Sequence, residues 1–294
     1  MALLIHHAAN RDHVHPPGSL SALSACLEAG ARVVELDVTP LANGDYALLH
    51  DSLLEEATDG RGPVGQATAE GIKRLRYTQG GKLSEEPVGL LSEAVECARA
   101  YRALDELQLD LKADAPLSES ALASLVRLVE PLGPRVRVSS CADWALRRLR
   151  RISPLLALGF DPQFYLDVET GEEGQRLPFR HGPYGYRDDH PATLYRWPSA
   201  AGYLAARLEA LLAQLPSGLV WYVRASCVAR VLADGCDWVT LLQQQGCQVA
   251  AWTLNPDRPG ELALAGRLVD AGVDRITTDA APRLAMALGR GTAC

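Results

Sequence analysis

Eight short runs rich in apolar and β-branched residues recur along this chain, and between them lie stretches whose apolar residues return at helical spacing. The runs are LLIHHA (3 to 8), VVELDV (33 to 38), LQLDLKA (107 to 113), RVRVSS (135 to 140), LLALGF (155 to 160), GLVWYVRA (218 to 225), QVAAWTLN (248 to 255) and RITTD (275 to 279). The amphipathic stretches include SLSALSACLEAGA, SEAVECARAYRAL, DWALRRLRRI and AAGYLAARLEALLAQL. Gly30, Gly246 and Gly272 stand where helix stops are expected. Eight such units in 294 residues predict an α/β fold, a closed (βα)8 TIM barrel in which residues 1 to 294 form a single domain. An extra strand, DYALLH (45 to 50), follows the turn-forming Asn43-Gly44 pair and is expected to extend or flank the second unit. Residues 161 to 198 break the rhythm. Their Gly, Pro, Tyr and charged residues predict an irregular insertion, either a substrate-binding lid or a partly disordered segment.

Within VVELDV the alternation of a strand puts Glu35 and Asp37 on one face and Val34, Leu36 and Val38 on the other. Two like charges side by side in a core require a cation, a shared proton or water. In a barrel the reactive groups gather at the carboxyl ends of the strands. His7 ends the first strand, His50 ends DYALLH, and Asp110 and Lys112 share a face at the end of LQLDLKA. Six polar residues are thus expected at one mouth. Three carboxylates without an accompanying cysteine or histidine cluster suit a hard divalent cation, Mg²⁺ or Ca²⁺, rather than zinc. Two histidines beside such a cation can divide general acid and general base duties. Taken singly, each of these features has a plainer reading as a solvated edge or a structural ion pair. Convergence is what singles them out. His6 is expected to point away from His7, and His13 and His15, before Pro16 and Pro17, to be solvated. The arginines of DWALRRLRRI read as an ordinary exposed helix face.

The net charge of −7 gives no reason to expect nucleic acid or an anionic membrane as a partner. No apolar run approaches the roughly 18 residues of a membrane span, and MALLIHHAANRD lacks the features of a signal peptide. The seven cysteines are scattered without a CxxC pair, so a reducing, cytoplasmic location is expected.

The run ALSACLEAGARVVELDVTPLANGDYALLHDSLLEEATDG, with its LEAGA, ELDV, HD and TDG elements, resembles the N-terminal half of glycerophosphodiester phosphodiesterases. LQLDLKA resembles the third strand of that family. SSCADWALRRLRRISPLLALGF resembles its middle, and GCQVAAWTLNPDRPGELALAGRLVDAGVDRITTDAAPRLAMAL its WTxN and TD tail. The resemblance implies a (βα)8 barrel, a divalent cation and cleavage of a small-molecule or lipid phosphodiester by a histidine pair. It lays His7 and His50 on the catalytic histidines, and Glu35, Asp37 and Asp110 on metal ligands. Lys112 falls on the phosphate-side lysine and Trp252 on an aromatic wall near the substrate.

Two departures stand out. His7-Ala8-Ala9 replaces the usual His-Arg-Gly, and Pro16-Pro17-Gly18-Ser19 replaces Pro-Glu-Asn-Thr, removing one metal-binding carboxylate. His7-Ala8-Ala9-Asn10 and Asp110-Leu111-Lys112 instead resemble the sphingomyelinase D-like branch, which makes Asn10 a further substrate-binding candidate. The aromatic residues Phe164, Tyr165, Phe179, Tyr184, Tyr186 and Trp197 could rim the entrance for a lipid or simply pack the insertion. The rival functions are a non-catalytic barrel that binds a ligand, and a metal-dependent isomerase or aldolase on the same fold.

Overall fold

A computed structural model describes residues 2–11, 14–113, 115–168 and 178–289. Eight parallel strands close into a barrel: β1 Leu3–His6, β2 Val33–Pro40, β3 Glu106–Leu111, β4 Val136–Ser140, β5 Ala157–Phe160, β6 Val220–Arg224, β7 Gln248–Trp252 and β8 Arg275–Thr278. The strands pair in chain order, and β1 closes the ring by pairing with both β8 and β2. Each falls within or beside a run expected from the sequence. The helices that cover the barrel are α1 Leu20–Glu28, α2 Leu91–Ala100, α3 Glu119–Val129, α4 Asp143–Ile152, α5 Ala200–Gln214, α6 Ala225–Ala233, α7 Glu261–Asp270 and α8 Ala281–Ala287. A short helix, Trp238–Gln244, follows α6. Ser19, Ser118 and Ser199 cap α1, α3 and α5 by accepting backbone N–H groups. Gly30, Gly246 and Gly272 all take the left-handed conformation at the expected helix stops.

The pleat sorts side chains between two environments. Val34, Leu36 and Val38 of β2 join the main apolar core together with helix residues such as Leu23 and Leu91. Ile5, Val33, Val220, Tyr222 and Ala250 form a smaller apolar cluster, drawn from β1, β2, β6 and β7. The Glu106 carboxylate accepts from Arg137 Nη2 at 2.8 Å and from Arg275 Nη1 at 2.6 Å. These three residues stand at or near the amino ends of β3, β4 and β8, the end of the barrel away from the mouth.

Three details differ from the sequence expectation. DYALLH contributes only Tyr46–Ala47 as strand, paired antiparallel to Thr39 and Pro40; beyond it the Leu48 N–H turns to Gly89 O at 3.0 Å. A hairpin, Arg76–Gln79 with Lys82–Pro87, was not expected. Its Gly80-Gly81 turn has φ of 56° and 76°, which suits glycine, but its strands are too polar to stand out by alternation. This excursion has its own apolar cluster, including Leu49, Leu54, Val64, Ile72, Tyr77 and Val88.

The described part of the insertion is more ordered than a bare loop. It holds one-turn helices at Pro162–Phe164, Pro183–Gly185 and Pro191–Leu194, and Asp167–Val168 pairs with Tyr186–Arg187. Asp188, fully buried, accepts from Tyr203 Oη and Arg207 Nε, both at 2.5 Å, which ties the segment to α5. The stretch 169–177 lies outside the described residues, as does His13. Among the described residues no helix is long and apolar enough to cross a membrane.

Candidate active site

One cavity of about 460 Å³ opens at the carboxyl ends of the strands. His7, Glu35, Asp37, His50, Asp110, Lys112 and Trp252 all line it. Seven of the eight residues singled out from the sequence are therefore brought to one place. The exception is Asn10. It is buried and borders a separate, smaller hollow with Arg11, Val14 and His15, because the chain bends away from the mouth directly after His7. His15, expected to be solvated, is half-buried there. His6 is buried, with its Nδ1 3.8 Å from Cys26 Sγ, and points away from His7 as alternation requires.

The bend after His7 has a specific consequence. Ala8 and Ala9 both take positive φ, 48° and 50°, a region that a Cβ makes unfavourable. This conformation aims the Ala8 N–H at Glu35 Oε2, 2.7 Å away. A backbone donor thus serves Glu35 where the resembling family usually carries an Arg-Gly pair.

Glu35, Asp37 and Asp110 each present an oxygen within 4.8 Å of the others. Asp37 and Asp110 stand directly opposite in the β2–β3 register. Lys112 Nζ reaches Asp37 Oδ1 at 2.9 Å and Asp110 Oδ2 at 2.5 Å. Ser139 donates to Asp110 Oδ1 at 3.0 Å and receives the Gln108 amide at 3.1 Å, fixing that carboxylate from the far side.

The charges do not balance. Burial and the neighbouring Asp37 push the Glu35 carboxyl up to about 8. Burial works against Asp37 as well, yet Lys112 and both histidines hold it below its ordinary value. One ammonium group is thus enough for part of the set and not for all of it. Three clustered hard oxygen ligands with surplus negative charge fit a divalent cation.

Each histidine is oriented by a carboxylate. Asp279 Oδ1 lies 2.7 Å from His7 Nδ1, and Asp51 Oδ1 lies 2.8 Å from His50 Nδ1. An ionised carboxylate only accepts, so the proton sits on Nδ1 in both rings and Nε2 is left for the cavity. Burial opposes a charged His7, but the Asp279 hydrogen bond and the charges of Glu35, Asp279 and Asp37 raise its pKa to about 9. Asp279 is itself held: Asn255 Nδ2 donates to its Oδ2 at 2.6 Å, and Asn255 Oδ1 accepts its backbone N–H at 2.9 Å. Asp51, Asn255 and Asp279 were not singled out from the sequence. The only signals for them are their places in the HD, WTLN and TTD strings.

The far wall consists of Asp161, Gln163, Tyr222 and Trp252. Trp252 Nε1 donates to Tyr222 O at 3.1 Å, and the Arg224 guanidinium lies over its ring at 4.4 Å. The aromatic residues of the insertion pack within it or against helices. Tyr186 Oη donates to Asp234, Trp197 Nε1 to Ala192 O and Tyr165 Oη to Asp143. Phe179 instead stands 71% exposed, and none of these rings lines the cavity.

The chain is similar to several known proteins. The chain is 27% identical over 161 residues to the glycerophosphodiester phosphodiesterase of Caldanaerobacter subterraneus subsp. tengcongensis, covering 53% of this chain and 65% of that protein. It is 23% identical over 250 residues to glycerophosphodiester phosphodiesterase 1 of Mus musculus, covering 83% of this chain and 69% of the relative. An Oleispira antarctica phosphodiesterase, solved in complex with the product sn-glycerol-3-phosphate, superposes with a TM-score of 0.68 at 22% identity, covering 98% of this chain and 97% of that one. A glycerophosphodiester phosphodiesterase from Parabacteroides distasonis gives a TM-score of 0.66 at 19% identity, covering 98% and 97%. The model of the glycerophosphoryl diester phosphodiesterase family matches residues 6–282, and the chain belongs to that family.

Proposed function

We propose that this protein cleaves a phosphodiester by acid and base catalysis at His7 and His50, with a glycerophosphodiester as the substrate class. The observation that carries the reading is the pairing of each imidazole with its own carboxylate, both rings bordering the cavity that holds the three clustered acids and Lys112. Glu35, Asp37 and Asp110 would hold Mg²⁺ or Ca²⁺, which supplies positive potential for the charge that develops on the phosphoryl oxygens.

The chain's own groups do the rest. Lys112 offers an ammonium to a phosphoryl oxygen. With both Nδ1 atoms engaged, the Nε2 atoms face the diester; one removes the proton of the attacking hydroxyl and the other protonates the leaving oxygen. Asp279 and Asp51 keep each ring in the tautomer that this requires. A volume of about 460 Å³ suits a small diester, and the acyl chain of a lysolipid would have to lie outside it.

The attacking hydroxyl can belong to water or to the substrate. An internal hydroxyl, which has the advantage of high effective concentration, gives a cyclic phosphate first, the outcome expected of the sphingomyelinase D-like branch. Phosphorus NMR on the protein with Mg²⁺ or Ca²⁺ and a panel of glycerophosphodiesters and lysolipids separates these routes. A monoester peak supports hydrolysis and a cyclic phosphate peak the internal route. Silence across the panel sinks the enzymatic reading in favour of a ligand-binding barrel. Loss of turnover in His7→Ala and in His50→Ala, each with an unchanged fold, is expected. Full activity in either variant removes the acid and base assignment.

A further inference from the structure

On the acid and base reading above, His7 works only with its proton on Nδ1, so whatever holds Asp279 as an acceptor sets the state of the ring. Asn255 is buried just beyond the end of β7, where the Leu254 N–H donates to Thr277 O at 3.0 Å and pins the chain over the end of β8. Its side-chain oxygen accepts twice, from the Asp279 N–H at 2.9 Å and from Thr278 Oγ1 at 3.1 Å. Thr278 Oγ1 itself accepts the Ala280 N–H at 3.1 Å, so its own proton is the one that reaches Asn255. The amide therefore has one orientation. Turned over, it would set N–H against N–H at the Asp279 backbone and oxygen against oxygen at the Asp279 carboxylate. In the orientation found, Nδ2 donates to Asp279 Oδ2 at 2.6 Å. A donor on that oxygen, with His7 Nδ1 2.7 Å from the other, favours the ionised carboxylate, which can only accept.

Asn255 is seated in turn by a residue that does not line the cavity. Glu261, the first residue of α7, accepts the Asn255 backbone N–H on Oε2 at 2.7 Å. The loop between them closes on itself: the Arg258 N–H donates to Asn255 O at 3.1 Å, and the Glu261 N–H to Arg258 O at 3.2 Å. The positive end of α7 favours a carboxylate at this place. One line of hydrogen bonds thus runs from Glu261 at the start of a helix, through Asn255 and Asp279, to the imidazole at the end of β1.

We infer that Asn255 and Glu261 are positioning residues for His7: Glu261 seats the Asn255 backbone, and the Asn255 amide holds Asp279 as the obligatory acceptor of the His7 Nδ1–H. Without the amide, Asp279 Oδ2 loses its donor and the carboxylate is free to turn about its own side-chain bonds. The ring then loses the contact that keeps its proton on Nδ1, and Nε2 no longer faces the cavity in one fixed state. Without the Glu261 carboxylate the same loss follows more weakly, because Asn255 keeps its bonds to Thr278 and Asp279.

The test pairs steady-state kinetics of the full chain with Mg²⁺ on a glycerophosphodiester with a direct reading of the His7 tautomer, for wild type, Asn255→Ala, Glu261→Ala and Glu261→Gln. Long-range ¹H–¹⁵N spectra of ¹⁵N-histidine protein, taken above the titration midpoint of the ring, report which nitrogen carries the proton. Asn255→Ala should lower kcat about tenfold or more, the scale of one charged hydrogen bond, with KM changed less than about twofold. The Nδ1–H population of His7 should fall in the same variant. Glu261→Ala should move both readouts in the same direction by less, and Glu261→Gln, which keeps an oxygen acceptor, should recover most of the loss. The Glu261 pair decides the matter should Asn255→Ala fail to fold. Wild-type kcat in both alanine variants, a loss confined to KM, or a His7 tautomer unmoved in both each overturns the inference while leaving the phosphodiesterase reading intact. No turnover of any diester by wild type overturns that reading and the positioning role with it.

Discussion

Asp279 and His7 meet at 2.7 Å although 272 residues of chain separate them, because β8 and β1 are neighbours where the barrel closes. The contact fixes the His7 tautomer, and Asn255 fixes Asp279 in turn. Asp279→Asn is isosteric, but its amide can present an N–H to Nδ1 and favour the wrong tautomer. The expected loss in kcat is on the order of a hundredfold or more, with little change in thermal stability. Steady-state kinetics beside a melting curve checks this, and a loss in KM alone would show that Asp279 acts on binding instead.

The elevated His7 value makes a second expectation. It is lifted by the Asp279 hydrogen bond and by the charges of Glu35, Asp279 and Asp37. In chelator-treated protein the ring should titrate near 9. Its protonation is then linked to the negative charge around it, so a cation taken up by Glu35 and Asp37 should lower that midpoint. Imidazole NMR titrations with and without Mg²⁺ or Ca²⁺ read the shift directly. A midpoint that does not respond to the cation would separate His7 from the acidic cluster.

Lys112 supplies a third. Its ammonium is a cation that Asp37 and Asp110 share. Lys112→Met leaves those carboxylates without a partner, so the chelated variant should lose roughly 3 kcal/mol of stability. Adding Mg²⁺ or Ca²⁺ should raise its melting temperature more than it raises that of wild type, since the ion replaces a lost charge. Equal shifts in both proteins would argue against ion binding at these acids.

The parts of this site legible in the sequence are those that strand alternation controls. Glu35 and Asp37 two residues apart, and Asp110 and Lys112 two residues apart, announce a shared face because the period of a strand is two. Asp279 and Asn255 gave no such signal. Their role depends on which strand ends meet around the ring, and a single carboxylate after RITT looks like any strand-terminal acid. Asn10 failed for the opposite reason. It matched a string, but the positive φ of Ala8 and Ala9 turns the chain so that Asn10 faces another hollow. Asp161 fell at the edge of a segment read as an insertion, and the hairpin around Gly80-Gly81 lay hidden in polar sequence.

At the opposite end of the barrel, Glu106 tests whether the ion network there holds the ring together independently of the chemistry. Burial works against its charge, yet the hydrogen bond and charge of Arg137, with those of Arg275, more than offset this and hold the carboxyl below its ordinary value. A depressed carboxyl contributes stability that is fully present above the unfolded value, and that contribution is lost as pH falls through the folded one. Glu106→Gln leaves two guanidinium groups without their shared partner and should cost about 3 kcal/mol near neutrality. As acid protonates Glu106 in the wild type, the difference between the two proteins should shrink. Urea unfolding midpoints measured from neutral to acid pH follow that difference, and a gap that stays constant would mean that packing around residue 106, not its charge, is what the substitution removes.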